Sequence, residues 1–360
     1  MKATHFGQVL FILLLTHWSA WAYDHPGGMH TQAQITLVKK HISTKTQPYY
    51  DAYLQLLAHA DSALTHPTHA LADFKVPGFY VDAEGHRRNS RSLQSDAFDA
   101  YACALAWQLS GHNKYGQKAL DILNTWATTN TTYSEADGSL VMAYSGTAMV
   151  IAGDLLYHYP AWKAQEREKY LGWVRNVYRK ACDEIRGRKN NWADWGRLGS
   201  ALCAQLLDDP AQLAENSRLV KSDLFHKIAE DGHMPEETRR GSNGIWYTYF
   251  SLAPITATCQ VLYNSTGENL FRLEEKGVSM KKALDYLYHY NLHPEAWSWF
   301  KDPRPGSPGN WPGNLFEAMG VIYGEEKYRA YAQPARPVCI DKHHFAWSFP
   351  TLMPPTVSMK

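Results

Sequence analysis

The chain of 360 residues predicts an all-α fold, an (α/α) toroid or incomplete barrel of antiparallel helical hairpins, on three observations. Apolar residues recur at helical spacing in one segment after another. Alternating β-branched runs bounded by hairpin turns, the mark of strands, are nearly absent. The helical segments follow at short intervals through loops rich in Gly, Pro, Asn and Asp, and no named solenoid repeat organises them. Helices in such number without a repeat can pair as hairpins and curl into a ring. A globin-like or bundle packing is the simpler alternative.

Taken in order, residues 1–22 read as a secretory signal peptide. Lys2 gives a weak positive start, 9–16 (VLFILLLT) a short apolar core, and Ala20-Trp21-Ala22 a small-x-small cleavage pattern. The apolar stretch is too short to span a bilayer. Cleavage after Ala22 is therefore expected to leave a secreted or periplasmic chain, 23–360, with one catalytic domain and no membrane segment. Segments 32–41 and 49–59 read as helices. Residues 95–109 (SDAFDAYACALAWQL) carry an almost continuous apolar and small face and stop at Gly111, with 118–127 (KALDILNTWA) as a partner. Residues 143–159 form another helix, stopped by Pro160. Within 166–185, Leu171, Val174, Tyr178, Ala181 and Ile185 share a face opposite Lys, Arg and Glu. Helices at 195–207, 243–263, 280–290 and 315–322 complete the set. The stretch 302–313 (DPRPGSPGNWPG) reads as a long loop around Trp311, either a functional rim or a connector.

Composition removes several functions. Lys and Arg number 36 against 35 Asp and Glu, so no basic excess marks a nucleic-acid partner. The 45% hydrophobic and 20% charged content is that of a globular chain. Cys103, Cys182, Cys203, Cys259 and Cys339 show no zinc spacing, and several sit in apolar helical runs, where a free thiol acts as a small hydrophobe. The 17 His show no metal motif, and His343-His344 reads as incidental. Nucleotide and acyl-hydrolase motifs are missing. Aromatics are plentiful, with 13 Trp, 22 Tyr and 12 Phe, and Trp and Tyr in such number suggest a surface that stacks on sugar rings as well as a core.

Two segments carry the chemistry. Lys189-Asn190-Asn191-Trp192-Ala193-Asp194-Trp195 sets two amides before two Trp at a helix start. A tandem amide can donate to a carboxylate while Trp192 and Trp195 flank a sugar; an Asn cap followed by core tryptophans is the plain alternative. The second segment, from Asp231 through His233, Glu236, Glu237, Arg239 and Arg240 to Trp246 and Tyr247, leads a charged loop into a helix. Arg240 and Tyr247 are seven apart, so they can share a helical face, and an adjacent guanidinium draws a phenol pKa down. The alternative is a surface ion-pair network of Glu236 and Glu237 with Arg239 and Arg240, and a core tyrosine. A basic run, Arg87-Arg88-Asn89-Ser90-Arg91 after 76–80 (VPGFY), offers a weaker anion-binding lip.

Together these segments resemble the alginate lyase family and its relatives among α-helical polysaccharide lyases. The likeness runs through His25-Pro26-Gly27-Gly28-Met29, the helical pair of 94–126 with Lys114-Tyr115 and Lys118-Ala119-Leu120, the Asn190-Asn191 pair, and the "P-x-E-x-x-R…Y" pattern of 235–247. The resemblance implies the toroid and β-elimination on a 4-linked uronate polymer, alginate or β-1,4-glucuronan, with no metal and no cofactor. It implies that Asn191 helps neutralise the uronate carboxylate, that Arg240 lies near the reacting sugar, and that Tyr247 is the catalytic tyrosine. Where the family has a histidine after the second asparagine, this chain has Trp192. Either His233 takes its place as base or carboxylate partner, or Tyr247 carries both proton transfers. Asn190, Trp192, Trp195, Arg239, Trp246, Arg88 and Trp311 are expected to bind flanking sugars of an acidic polysaccharide. A toroid hydrolase working with Asp194 and Glu237 and a catalytically silent sugar-binding protein are the competing readings.

Overall fold

The apolar faces read from the sequence become two layers of helices. The computed structural model describes residues 22–357 and 359, in which the order is α1 (Gln32–Ser43), α2 (Tyr49–Ala63), α3 (Ala83–Ser110), α4 (Asn113–Thr129), α5 (Gly138–Leu155), α6 (Ala164–Trp173), α7 (Arg179–Ile185), α8 (Asn191–Leu206), α9 (Pro210–Lys227), α10 (Pro235–Thr238), α11 (Gly244–Thr266), α12 (Met280–Leu292), α13 (Gly313–Ile322) and α14 (Glu326–Ala332). The signal-peptide reading lies, except for Ala22, outside the described residues. Among those residues no helix is long and apolar enough to cross a membrane.

Helix α5 is buried along its whole length and α8 along all of it but Trp192, so both belong to the inner layer. There α3 packs on α5, α5 on α8, and α8 on α11. The outer helices α4, α7, α9 and α12 each lie against an inner one, and α4 buries a single face, Tyr115, Ala119, Leu120, Ile122, Leu123 and Trp126. Close approach of the layers needs missing side chains: a Cβ at Gly146 or Gly199 would collide with Tyr178 of the outer layer. The result is the (α/α) toroid that the periodicity predicts.

The two ends of the chain hold the ring. Asp154 of α5 accepts from the backbone of Gly27 and Gly28 at 3.0 and 2.9 Å and pairs with His25 at 2.7 Å, while Asn264 of α11 donates to the Gly28 carbonyl. At the other end Phe345 and Phe349 stack on Phe98 of α3, the Trp347 indole donates to Thr256 of α11, and Asn314 of α13 donates to the Trp347 carbonyl.

The boundaries differ from the sequence reading in instructive ways. Helix α3 begins at Ala83, capped by the Asp82 carboxylate on the Gly85 N–H, so the basic run is helical; it ends at Gly111, whose φ of 75° a Cβ would strain. The 166–185 helix is α6 and α7 joined by a π-helical turn, Val174–Tyr178, that keeps Val174, Val177 and Tyr178 inward. Helix α9, capped by Asp209 and opened by Pro210, adds a helix to those the periodicity predicts. Two short strand pairs, β1 (Asp73–Lys75) with β2 (Thr132–Ser134) in parallel and β3 (Glu274–Glu275) with β4 (Val278–Ser279) antiparallel, tie loops together. All five cysteines are free. Asn130-Thr131-Thr132 has the N-x-T form of a glycosylation acceptor, but Asn130 is buried, its amide nitrogen donating to the Leu71 and Thr132 carbonyls and its oxygen accepting from the Trp173 indole, so it presents no nitrogen to a sugar.

Candidate active site

Arg240 and Tyr247 meet, though not as residues two turns apart on one helix. Arg240 ends the short α10 region, Gly241 turns the chain at a φ of 65°, and Tyr247 lies in the first turn of α11. The guanidinium thereby folds back over the phenol ring, 4.3 Å from its centroid. A second phenol, unforeseen in the sequence reading, joins them. Tyr80, in the loop between β1 and α3, sits with its hydroxyl 3.0 Å from that of Tyr247 and 3.4 Å from an Arg240 nitrogen. The loop is held by the Phe79 N–H donating to Asp137 and by Arg87 over the Phe79 ring.

These neighbours pull the two phenols apart in acidity. Burial, with the hydrogen bond to Tyr80, pushes Tyr247 up to about 12 although Arg240 opposes it. The expectation that Arg240 alone would lower this phenol is thus corrected: desolvation outweighs the cation. Tyr80 is partly buried too, yet its hydrogen bonds with Tyr247 and Arg240 and the Arg240 charge draw it below its ordinary 10.0. The pair shares one proton network biased by one guanidinium, in which one oxygen can hold negative charge while the other holds the proton.

The tandem amides divide their work. Asn190 caps α8, its side-chain oxygen taking the Trp192 N–H at 3.3 Å, so the cap reading applies to that oxygen. Asn191 is buried and held at two points by Glu237, which accepts its backbone N–H at 2.7 Å and its carboxamide nitrogen at 2.8 Å. Burial first, and the Asp194 charge after it, raise the Glu237 carboxyl to about 7 against the pull of Asn191 and Lys227. Asp194 is itself buried, bonded to Lys227 at 2.6 Å and to the Ser251 hydroxyl. Both carboxylates are spent on these buried partners, Glu237 with each oxygen on Asn191 and Asp194 on Lys227 and Ser251, so neither is free to act as acid or nucleophile in the hydrolase pair.

The remaining expectations sort by exposure. Trp246 is half-buried, parallel to Phe250 and edge-on to Tyr247 with ring centroids 4.7 Å apart, beside the phenol pair. Trp192 is half-buried, but the Arg188 guanidinium covers its ring at 3.8 Å. Trp195 is fully buried between Tyr144, Phe250 and His344, a core residue rather than a sugar platform. Arg239 is exposed and paired with Glu236, as the ion-pair alternative supposes. Arg88 is exposed on α3. Trp311 leans on Tyr249, 5.7 Å between centroids. His233 is bonded to Asp231 at 2.6 Å and packed on Trp299. A histidine that the sequence reading sets aside as incidental packs against Trp246, the chain neighbour of Tyr247. His343 stacks on Tyr144 at 4.6 Å and meets the edge of Trp246 at 5.7 Å, its backbone strained at a φ of 75°. Burial pulls its imidazole down to about 4, so it is neutral at ordinary pH. Among the described residues no group of three His, Cys, Asp or Glu is arranged to hold a metal ion.

Such a geometry, two phenols sharing a proton beside a guanidinium, can move a proton next to an anion, as a polysaccharide lyase must. A family described as alginate lyase matches residues 36–297. The chain belongs to the alginate lyase family. Among solved structures it is similar to alginate lyase A1-III from Sphingomonas species A1, with a TM-score of 0.72 at 14% identity over 89% of this chain and 93% of that one. A tyrosine-to-phenylalanine variant of alginate lyase A1-III complexed with tetrasaccharide matches with a TM-score of 0.72 at 15% identity, over 89% and 93% of the two chains. An alginate lyase from Bacteroides ovatus matches at 0.67 and 18% identity, over 89% and 98%. At these identities the likeness establishes the fold. No curated protein sequence matches the chain.

Proposed function

We propose that this lyase cleaves alginate, a 4-linked uronate polymer, by β-elimination at Tyr247, and that it does so outside the cytoplasm. The observation that carries the reading is the Arg240 guanidinium 4.3 Å from the Tyr247 ring with a second phenol at 3.0 Å from its hydroxyl. Loss of the C5 proton of a uronate moves charge onto its carboxylate, so donors that grip the carboxylate harder as charge grows lower the barrier. Asn191 and Arg240 are the donors at hand. Tyr247 as phenolate takes the C5 proton; the C4–O4 bond breaks as the C4=C5 double bond forms; the resulting phenol returns the proton to O4. A single residue serves both steps when proton and leaving group are on one face of the sugar. His343, neutral and facing Trp246, is the imidazole best placed to assist if they are on opposite faces.

Export is supported by the site of the expected cleavage. Cut after Ala22, the chain would begin at Tyr23, whose nitrogen lies 2.6 Å from the Asp208 carboxylate, a setting suited to a free ammonium. Mass spectrometry of the exported protein should find Tyr23 first. The activity is tested by following near-ultraviolet absorbance of the unsaturated uronate on polymannuronate, polyguluronate and glucuronan. Absorbance growing on either alginate block supports the reading. Growth on glucuronan alone moves the substrate but keeps the chemistry, and new reducing ends without absorbance refute elimination.

A further inference from the structure

Glu237 is the acid of the P-x-E-x-x-R pattern, and the elimination chemistry above gives it no part. It sits on α10, a single four-residue turn between a loop and the Arg240 corner, with its carboxylate buried. Both of its oxygens are spent on one residue, Asn191: Oε1 takes the backbone N–H and Oε2 the carboxamide nitrogen. The first of these satisfies an amide that the start of α8 would otherwise leave open, and any acceptor there could do that. The second fixes the rotation of a side chain. An asparagine amide is planar, so a carboxylate on one N–H also settles where its other N–H and its oxygen point.

We propose that Glu237 is a positioning residue, orienting the Asn191 carboxamide toward the uronate carboxylate. The proposal rests on the role given to Asn191 above. Because α10 leads directly into Arg239 and Arg240, the same short turn sets the Asn191 donor and the Arg240 donor relative to one another. The groups facing Glu237 are few: Asn191 and Asp194 from α8 and Lys227 from α9, with Lys227 drawn toward Asp194 and the Asn190 carbonyl. An anion gripping two N–H groups matches them fully. Protonation of the carboxyl takes one acceptor away, and the carboxyl's place at about 7 puts that change near neutral pH.

The test is a kinetic double-mutant cycle on the full chain, using Glu237→Gln, Glu237→Ala, Asn191→Ala and the combined variants, with near-ultraviolet absorbance on alginate as the readout and thermal melting as the check on folding. A misdirected carboxamide slows the transition state more than it weakens binding, so Glu237→Ala is expected to cut kcat about tenfold or more with a smaller change in KM. Gln, which keeps one accepting oxygen, falls between Glu and Ala. In the Asn191→Ala background the three residues at 237 give equal turnover. Should the Glu, Gln, Ala order persist without Asn191, or should Glu237→Ala match the parent, Glu237 does not act through Asn191 and the proposal falls. If Glu237→Ala does not fold, Glu237→Gln alone carries the cycle. A parent without lyase activity on any uronate polymer would instead overturn the function itself.

Discussion

Replacing Arg240 by Gln separates a cation that holds a phenolate from one that merely decorates the rim. With Tyr247 at about 12, ionising it at about pH 8 costs on the order of 5 kcal/mol, at roughly 1.4 kcal/mol for each pKa unit. The guanidinium lies 4.3 Å from the ring centroid. Opposite charges at such a distance attract by about 4 kcal/mol at the effective dielectric of a protein surface. Arg240 is half-buried, and solvent screening leaves about half of that, some 2 kcal/mol. Arg240→Gln should therefore lower the phenolate population about thirtyfold, and kcat with it, at any pH below the phenol's own pKa. Initial rates at saturating alginate across neutral to alkaline pH provide the assay. The variant's rise with pH should be displaced upward, and Arg240→Lys, which keeps the charge without the stacking plane, should recover part of the loss. A Gln variant within about threefold of the parent at every pH, or one changed only in KM, would refute the argument, since then the cation binds substrate and transition state equally.

Other expectations follow from burial and charge. Trp195→Ala should cost about 3–5 kcal/mol of stability by opening a cavity among Tyr144, Phe250 and His344. Trp246→Ala should leave melting closer to the parent and raise KM, and the reverse pattern would contradict their assignment. Glu237 gives stability a pH slope. Its folded-state carboxyl is raised from 4.5 to about 7, so between those values the folded protein binds the extra proton and stability falls as pH rises, by on the order of 3 kcal/mol in all. Urea unfolding of Glu237→Gln and the parent at acidic and alkaline pH should show the difference between them shifting in the variant's favour as pH rises; parallel curves would deny the shift. Finally, His343→Ala should slow elimination more than His233→Ala, because His343 reaches Trp246 while His233 is engaged by Asp231. Equal turnover in both variants would remove histidine from the chemistry.

The toroid was legible because its signal is local. Helices such as α3, α5 and α11 show their apolar faces within a few turns, and Gly111 and Gly267 end α3 and α11 in left-handed conformations that need glycine. The pairing of Arg240 with Tyr247 was legible too, because both lie in one segment, although the turn at Gly241 and not a common helix face brings them together. What stayed hidden depends on distant parts of the chain. Tyr80 reaches Tyr247 from 167 residues away, and its only local sign was an aromatic Pro-Gly loop ahead of a basic run. His343 belongs to a C-terminal segment that returns to the inner layer, so no spacing motif could mark it. Trp195 was misread because residue type alone does not tell an inward tryptophan from one facing a cleft, and only the packing of α8 on α5 and α11 decides it. Glu237 was quoted within a motif and weighed as a surface ion-pair partner or hydrolase acid, whereas its burial makes it the clamp on Asn191.

The central claim is that Tyr247 carries the proton in an elimination. Its most direct test is the turnover of Tyr247→Phe on alginate at saturating polymer, followed by near-ultraviolet absorbance. Removing the hydroxyl leaves the ring, its contact with Trp246 and the Arg240 stacking surface in place, so the fold and polymer binding should survive. Loss of a positioned acid–base group predicts a fall in turnover of about a thousandfold with KM little changed. A variant that still forms the unsaturated product at the parent's rate would show that another group moves the proton.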